Sequence, residues 1–225
     1  MLIMGLDTAL QRCSVAILRG DDVLADKSVD MERGHAEHLA PMAALAVKEA
    51  GVTFRDLDRV GVVIGPGGFT GVRVALAFAR GLGIGTGIDI IGVTSLAALA
   101  AGVEPTSLTA TVIDARRGEV FAALYGNDGA EIAAPFVSTP EQSLNILRQS
   151  AGAEPVTIVG SGAALLGDLP DNWQRQATKS QIDAKIVAQL ALAAPRSALP
   201  PAPLYLRVPD AKPGKPGLFS GSAPR

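Results

Sequence analysis

The residues best suited to chemistry are the glycines of the turn Gly65-Pro66-Gly67-Gly68. They stand between a short apolar run, 60–64, and a segment without helix breakers from Thr70 to about Arg80. A strand that passes through a glycine turn into a helix aims backbone N–H groups at an anion, so phosphate binding is one reading of this stretch. Thr70 is placed to cap that helix, its hydroxyl accepting from an early amide. No Lys-Ser or Lys-Thr pair ends the turn and its spacing is not GxGxxG, so neither the Walker A loop nor the dinucleotide fingerprint is present. The same glycines equally suit a tight turn packed closely on a neighbour.

His35 and His38 share one face of a helix start, and Glu32 and Glu37 could add oxygen ligands to a metal there. The plainer reading is a half-exposed pair at a helix start. Neither histidine has a GxSxG serine or a reactive-cysteine context, so no nucleophile–base constellation emerges. Asp114, Arg116, Arg117 and Glu119 form a charged cluster at a strand end. Such a cluster is either a solvated turn held by ion pairs or a phosphate-contacting loop. Gly160-Ser161-Gly162-Ala163 is a second, less specific glycine loop.

Strand, hairpin, helix, strand, helix is the order expected through Leu82. The strands fall at 2–6, 13–18, 23–28 and 60–64, with a hairpin turn at Arg19-Gly20-Asp21-Asp22. The helices span 36–50 and 72–82, and both are apolar nearly all the way round. An ordinary surface helix keeps one polar face. Helices covered on two sides need a second cover, either another subunit or an internal helix. A further strand, 88–93, and a short helix, 94–101, capped by Thr94 or Ser95, lead to a boundary at 102–106. Strand, hairpin, helix, strand then recurs over 109–113, 119–125, 131–137, 140–150 and 156–159, as a degenerate duplication predicts. A last helix covers 182–193. The tail, 209–225, rich in proline and glycine, reads as flexible.

With 225 residues, 48% of them hydrophobic, the chain is long enough to bury a substantial core. A net charge of −2 disfavours autonomous binding of nucleic acid. Its one cysteine, Cys13, rules out an intrachain disulfide and suits a reducing cytoplasm; its strand setting suits a small buried hydrophobe. Asp7 interrupts the first apolar run before a signal peptide could form, and no stretch is long and apolar enough to span a bilayer.

The run GPGGFTGVRVALAFARGLG resembles the signature of the TsaB (YeaZ-like) family, GPGSFTGLR followed by a helix. IMGLDTALQRCSVAI, DARRGEVF and PLYLR match further family stretches in the right order, so the likeness spans almost the whole chain to Arg207. It implies an α/β fold of the two-lobed actin/Hsp70/sugar-kinase (ASKHA) type, with duplicated βββαβα units and mixed sheets flanked by helices. The lobes would be 1–104 and 105–208. In that superfamily the acidic residue ending the first strand faces the nucleotide phosphates and their metal, and Asp7 holds that place. A degenerate nucleotide site would then comprise Asp7, Gly65, Gly67, Gly68, Asp114, Gly160 and Gly162. The family's usual serine in the turn is Gly68 here, which removes a hydroxyl that could meet a phosphate.

The resemblance further implies a cytoplasmic, non-catalytic subunit in the threonylcarbamoyladenosine modification of tRNA, next to the anticodon. Its partner would be the catalytic sister family, TsaD, whose metal-binding histidines follow the strand that is 90–93 here; this chain has GVTSLAAL there. Pairing would use first-lobe helices through His38, Leu39, Met42, Ala46, Phe69, Val72, Arg73, Leu76, Ala79 and Arg80. A homodimer would form without TsaD, the TsaE ATPase would join the assembly, and tRNA would be met only through the complex. No metal and no tightly held cofactor are expected in the isolated chain, ATP or ADP with Mg being a matter for the complex. Two rivals stand beside this reading. One is a free-standing ATP-dependent phospho- or carbamoyl-transferase using Asp7, Asp114 and the glycine turn. The other is a peptidase-like hydrolase, for which the chain offers no catalytic dyad.

Overall fold

Strand β1 (Leu2–Asp7) is buried at every position and forms the middle of a five-stranded sheet. The computed structural model describes residues 1–104, 107–176, 180–196 and 199–207. Beside β1 lie β2 (Arg12–Arg19), antiparallel, and β4 (Arg59–Val63), parallel. The edges are the charged β3 (Asp22–Asp30) and β5 (Asp89–Val93), giving the order β3-β2-β1-β4-β5. Alternation along β1 assigns its two faces. Leu2, Met4 and Leu6 join the core under helices α1 (His35–Glu49) and α2 (Phe69–Thr86), while Ile3 meets α5 (Ala184–Ala193) on the other side.

The second half repeats this pattern. Strands β6 (Leu108–Arg116), β7 (Glu119–Tyr125), β8 (Glu131–Ser138), β9 (Val156–Val159) and β10 (Trp173–Arg175) take the order β8-β7-β6-β9-β10. The parallel and antiparallel pairings match those of the first sheet strand for strand. Helix α4 (Pro140–Ala151) corresponds to α1, whereas the place of α2 holds only a short 3-10 turn, Ala163–Leu166. The duplicated fold is therefore present, with one helix of the second unit reduced. Helix α3 (Ser95–Ala101), capped by Thr94 as expected, packs on β6, β7 and α5 and joins the two halves.

Two local readings are corrected. Helix α2 continues through Gly81, Gly83 and Gly85 and stops at Gly87, whose φ of 77° is a left-handed cap. Its buried stripe of Gly71, Val72, Ala75, Leu76 and Ala79 outweighs the low helix propensity of those glycines. Thr70 lies inside the first turn of α2; the N-cap residue is Gly68 and no side chain bonds the first amides. The last helix, from the second half of the chain, packs on the first sheet. Gly5 and Gly61 allow this, because a Cβ on Gly5 would stand 2.0 Å from the Ala184 carbonyl oxygen and one on Gly61 2.6 Å from the Ala191 Cβ. The boundary at 102–106 falls partly, and the tail 209–225 wholly, outside the described residues.

Arg59 anchors the end of α5. Its Nη1 donates to the carbonyls of Ala191 at 2.6 Å and Ala194 at 2.7 Å, and its Nη2 stands 3.4 Å from Asp89. Arg59→Ala is expected to cost about 3 kcal/mol, because it strips buried carbonyls and a buried carboxylate of their partner. Urea unfolding would measure the loss, and a midpoint equal to wild type would contradict this anchoring role.

Candidate functional site

Between the two halves opens a cleft of about 1050 Å³, lined from the β1–β2 turn and from the end of β6. The β1–β2 turn contributes Thr8, Ala9, Leu10 and Gln11, and the start of α1 contributes Glu32 to Glu37. Gly67, Gly68, Phe69, Thr70 and Gly71 form the floor at the α2 end. The far wall is Asp114, Ala115, Arg116, Phe121 and Ser161, with Ser180, Gln181 and Arg207 at its margin. Arg33, Arg116 and Arg207 stand among Glu32, Glu37 and Asp114 around this rim.

The glycine turn is fastened to the β1–β2 turn rather than open to it. Gly68 N–H donates to the Ala9 carbonyl at 2.8 Å, and Thr8 Oγ1 donates to the Gly71 carbonyl at 2.7 Å. A Cβ would meet Ala9 O at 2.5 Å from Gly67 and Thr8 O at 1.9 Å from Gly71. These glycines thus serve close backbone packing. Gly65, with φ 95°, turns away from the cleft and accepts from Ser95 N–H at 2.8 Å.

Asp7 lies under this knot with no exposed surface, and it does not line the cleft. Its Oδ1 accepts from Ala9 N–H at 2.8 Å, and its Oδ2 is buried with no hydrogen-bond partner among the described residues. Burial pushes the carboxyl up to about 7, against the lowering effects of the Ala9 amide and the Arg12 charge. Beside it, burial and the Asp7 charge push the Cys13 thiol up to about 11, which leaves an unreactive buried group.

Asp114 lies near the end of β6, the strand that takes in the second sheet the central place of β1 in the first. It faces the cleft, accepts from Arg116 N–H at 2.7 Å and pairs with the Arg116 guanidinium at 3.2 Å. Ser161 reaches the cleft and accepts from Asp114 N–H at 3.2 Å, while Gly160 and Gly162 lie against β6. Of the candidate nucleotide residues, Gly67, Gly68 and Asp114 therefore line one cleft; Asp7, Gly65, Gly160 and Gly162 lie behind it. His35 reaches the cleft and His38 does not, its Nδ1 lying 3.0 Å from the Gly34 carbonyl. Among the described residues no three His, Cys, Asp or Glu side chains come close enough to share a metal ion.

A Mg-nucleotide at the glycine turn fits these residues poorly. The amides of Ala9 and Gly68 are engaged within the protein, and the Asp7 carboxyl is sealed from the cleft.

On the outside of α1 and α2 lies a second surface. The exposed stripe of α2 is Phe69, Arg73, Ala77, Arg80 and Ile84, the last 91% exposed. From α1 it is joined by Ala40, Pro41, Ala44 and Leu45, the last 58% exposed. Of the expected contact residues, His38, Phe69, Arg73 and Arg80 are exposed and Met42 is half-buried. Leu39, Ala46, Val72, Leu76 and Ala79 lie instead in the chain's own core, because they form the inward stripes of their helices. Leu45 and Ile84 belong to the outward face and were not among the expected contacts. The 3.6-residue period counted from the buried positions would have found them.

Comparison with known proteins follows from this geometry. Residues 29–202 match the family model described as TsaD: tRNA N6-adenosine threonylcarbamoyltransferase. An uncharacterized protein of Mycobacterium leprae is 36% identical over 94% of this chain, which spans 56% of that protein's length. One of Mycobacterium tuberculosis is 35% identical over 94% of each chain. The Escherichia coli tRNA threonylcarbamoyladenosine biosynthesis protein TsaB is 34% identical over 57% of this chain and 55% of its own. Among solved structures, YeaZ from Pseudomonas aeruginosa superposes with a TM-score of 0.76 at 27% identity, over 91% of this chain and 99% of that one. The ROK hexokinase of Thermus thermophilus, at 15% identity and a TM-score of 0.51 over 85% of this chain and 98% of its own, shares the fold. Duplicated sheets, the glycine turn knotted to the β1–β2 turn and the match over 29–202 agree: the chain belongs to the family of that TsaD-type model and, within it, to the TsaB (YeaZ-like) group.

Proposed function

We propose that this chain is a non-catalytic subunit required for threonylcarbamoyladenosine formation in tRNA, and that it acts by binding a TsaD-type protein through the outward face of α1 and α2. The observation that carries this reading is that face: the large apolar side chains Leu45, Phe69 and Ile84 on two adjacent helices, interspersed with alanines, stay more than half exposed among the described residues, although the segment 199–207 crosses part of it at Phe69, Arg73 and Arg80. Small residues there let a partner helix approach closely, and Arg73 and Arg80 supply polar rim contacts. The names of the relatives supply the pathway. The sealed Asp7 and the engaged Gly68 amide favour a scaffold over a transferase in its own right. Without TsaD the same face would pair two copies of this chain; a TsaE-type ATPase and tRNA would join only the assembled complex.

Reconstitution tests the reading. A TsaD-type protein, a TsaE-type ATPase, threonylcarbamoyl-adenylate and tRNA should yield the modified adenosine only when this chain is added, as measured by mass spectrometry of tRNA digests. Equal yield without the chain would overturn the proposal. A second test uses Gly81, exposed on α2 with open space around any added Cβ. Gly81→Ala is expected to stabilise the free chain by about 0.5–1 kcal/mol through helix propensity. It should also weaken the complex by adding a methyl group at a close helix contact. Stabilisation with undiminished complex would move the contact away from this part of α2.

A further inference from the structure

The segment 199–207 leaves the first sheet and crosses to the second. Its Leu204 N–H donates to the Ile64 carbonyl at 2.8 Å, and the Pro201 carbonyl accepts from Arg80 Nη2 at 2.5 Å. Tyr205 then lies on the outward face of α2. Its hydroxyl is 2.9 Å from Arg73 Nε, its ring stacks on Phe69 at 6.2 Å, and the Arg73 guanidinium covers Phe69 at 3.4 Å. Only two residues later Arg207 reaches the other half of the molecule. It pairs with Glu119 and donates to the carbonyls of Ala115 at 3.3 Å and Arg116 at 3.5 Å.

What Arg207 holds is a strained turn. Arg116, Arg117 and Gly118 are successive left-handed residues, with φ of 61°, 57° and 76°, and two of them carry a Cβ. Such backbone persists only where its surroundings over-determine it. Arg207 bonds carbonyls on one side of the turn and a carboxylate on the other, and Arg116 and Asp114 of the same turn line the cleft.

We propose that 199–207 is a clasp that couples the outward face of α2 to the cleft, so that a protein seated on Phe69, Arg73 and Tyr205 sets the position of the Asp114–Glu119 turn. The identity of that protein rests on the function proposed above; the mechanical link does not. Arg207 is a positioning residue in this account, and Tyr205 is its handle.

Hydrogen exchange on the full chain tests the link. Arg73→Ala leaves the strap sequence and the turn intact and removes the hydroxyl contact of Tyr205. Exchange at the amides of Arg116 and Glu119 is expected to quicken about fivefold or more, with the amides of α4 and β9 unchanged. Unchanged exchange at the turn would overturn the clasp, even if Arg207→Ala loosens it. Should Arg73→Ala quicken exchange throughout the core, Tyr205→Phe, which deletes only the hydroxyl, is read by the same criterion. Adding a TsaD-type protein should slow the turn amides in wild type and not in Arg207→Ala; a complex formed without that slowing also overturns the proposal. A chain that forms no complex yet loosens its turn in Arg73→Ala keeps the clasp and loses the partner reading.

Discussion

Replacing Asp7 by Asn is expected to stabilise the protein at pH 8 and to change it little near pH 4. The carboxyl is fully buried, one oxygen lacks a partner, and burial raises it to about 7 in the fold. In the unfolded chain it titrates near the ordinary aspartate value, about 3.9. Between those values the folded state holds a proton that the unfolded state releases, so stability falls as pH rises from about 4 to about 7. Above pH 7 the whole loss, on the order of 4 kcal/mol, remains. Asn keeps the acceptor for Ala9 N–H and carries no charge, so it removes this loss. Urea midpoints of both proteins at pH 5 and pH 8 measure it, and all other titrating groups cancel in the difference. A variant with the wild-type pH dependence would show that Asp7 is solvated or paired. An exchangeable cation bound at Asp7 would reverse the sign at pH 8, making the variant the less stable protein.

Gly71→Ala is expected to be the most damaging single methyl group in the candidate site. Its Cβ would lie 1.9 Å from the Thr8 carbonyl oxygen, a backbone atom that cannot rotate away. The two segments are also tied by Thr8 Oγ1 donating to the Gly71 carbonyl. Relief requires α2 to move off the β1–β2 turn, separating Val72 and Ala75 from the sheet. About 3–5 kcal/mol of stability should be lost, enough to threaten folding near body temperature. Gly85→Ala in the same helix meets nothing within 4 Å and should raise the melting temperature slightly. Melting curves of the pair separate the readings of the glycine turn. If Gly71→Ala melts like wild type, the knot between the turn and β1 is not tight.

The fold was legible because its signals were local and repeated. Strand, hairpin, helix, strand occurs twice in the sequence, and both sheets answer to it. The glycine turn declared itself as well, but not what it does: packing and anion binding ask for the same missing Cβ. Only the position of Thr8 O decides between them. The seat of α5 was less legible. Gly5 and Gly61 in mid-strand were the available clue, since a glycine inside a buried strand marks a close backbone approach. Their partners Ala184 and Ala191 lie more than a hundred residues away, beyond any local pattern. The partner face was half legible. Apolar residues all round a helix announce two covers, but the roll of contacts mixed inward residues such as Leu39 and Ala79 with outward ones. Ile84 stayed hidden because the expected helix ended at Leu82, whereas α2 runs on to Thr86. The clasp could not be read at all, because it joins Arg207 to Glu119 by a contact that only the folded chain creates.

The central claim is that the outward face of α1 and α2 is where a TsaD-type protein binds, and co-elution tests it most directly. Wild type and Leu45→Arg/Ile84→Arg would each be mixed with the purified TsaD-type protein and run on size exclusion with light scattering. Both substituted side chains are exposed, so the variant should fold and melt as wild type does. The account predicts a complex for wild type and its loss in the variant, where two charges would face an apolar contact. Equal complex with both proteins, or none with wild type, would contradict it.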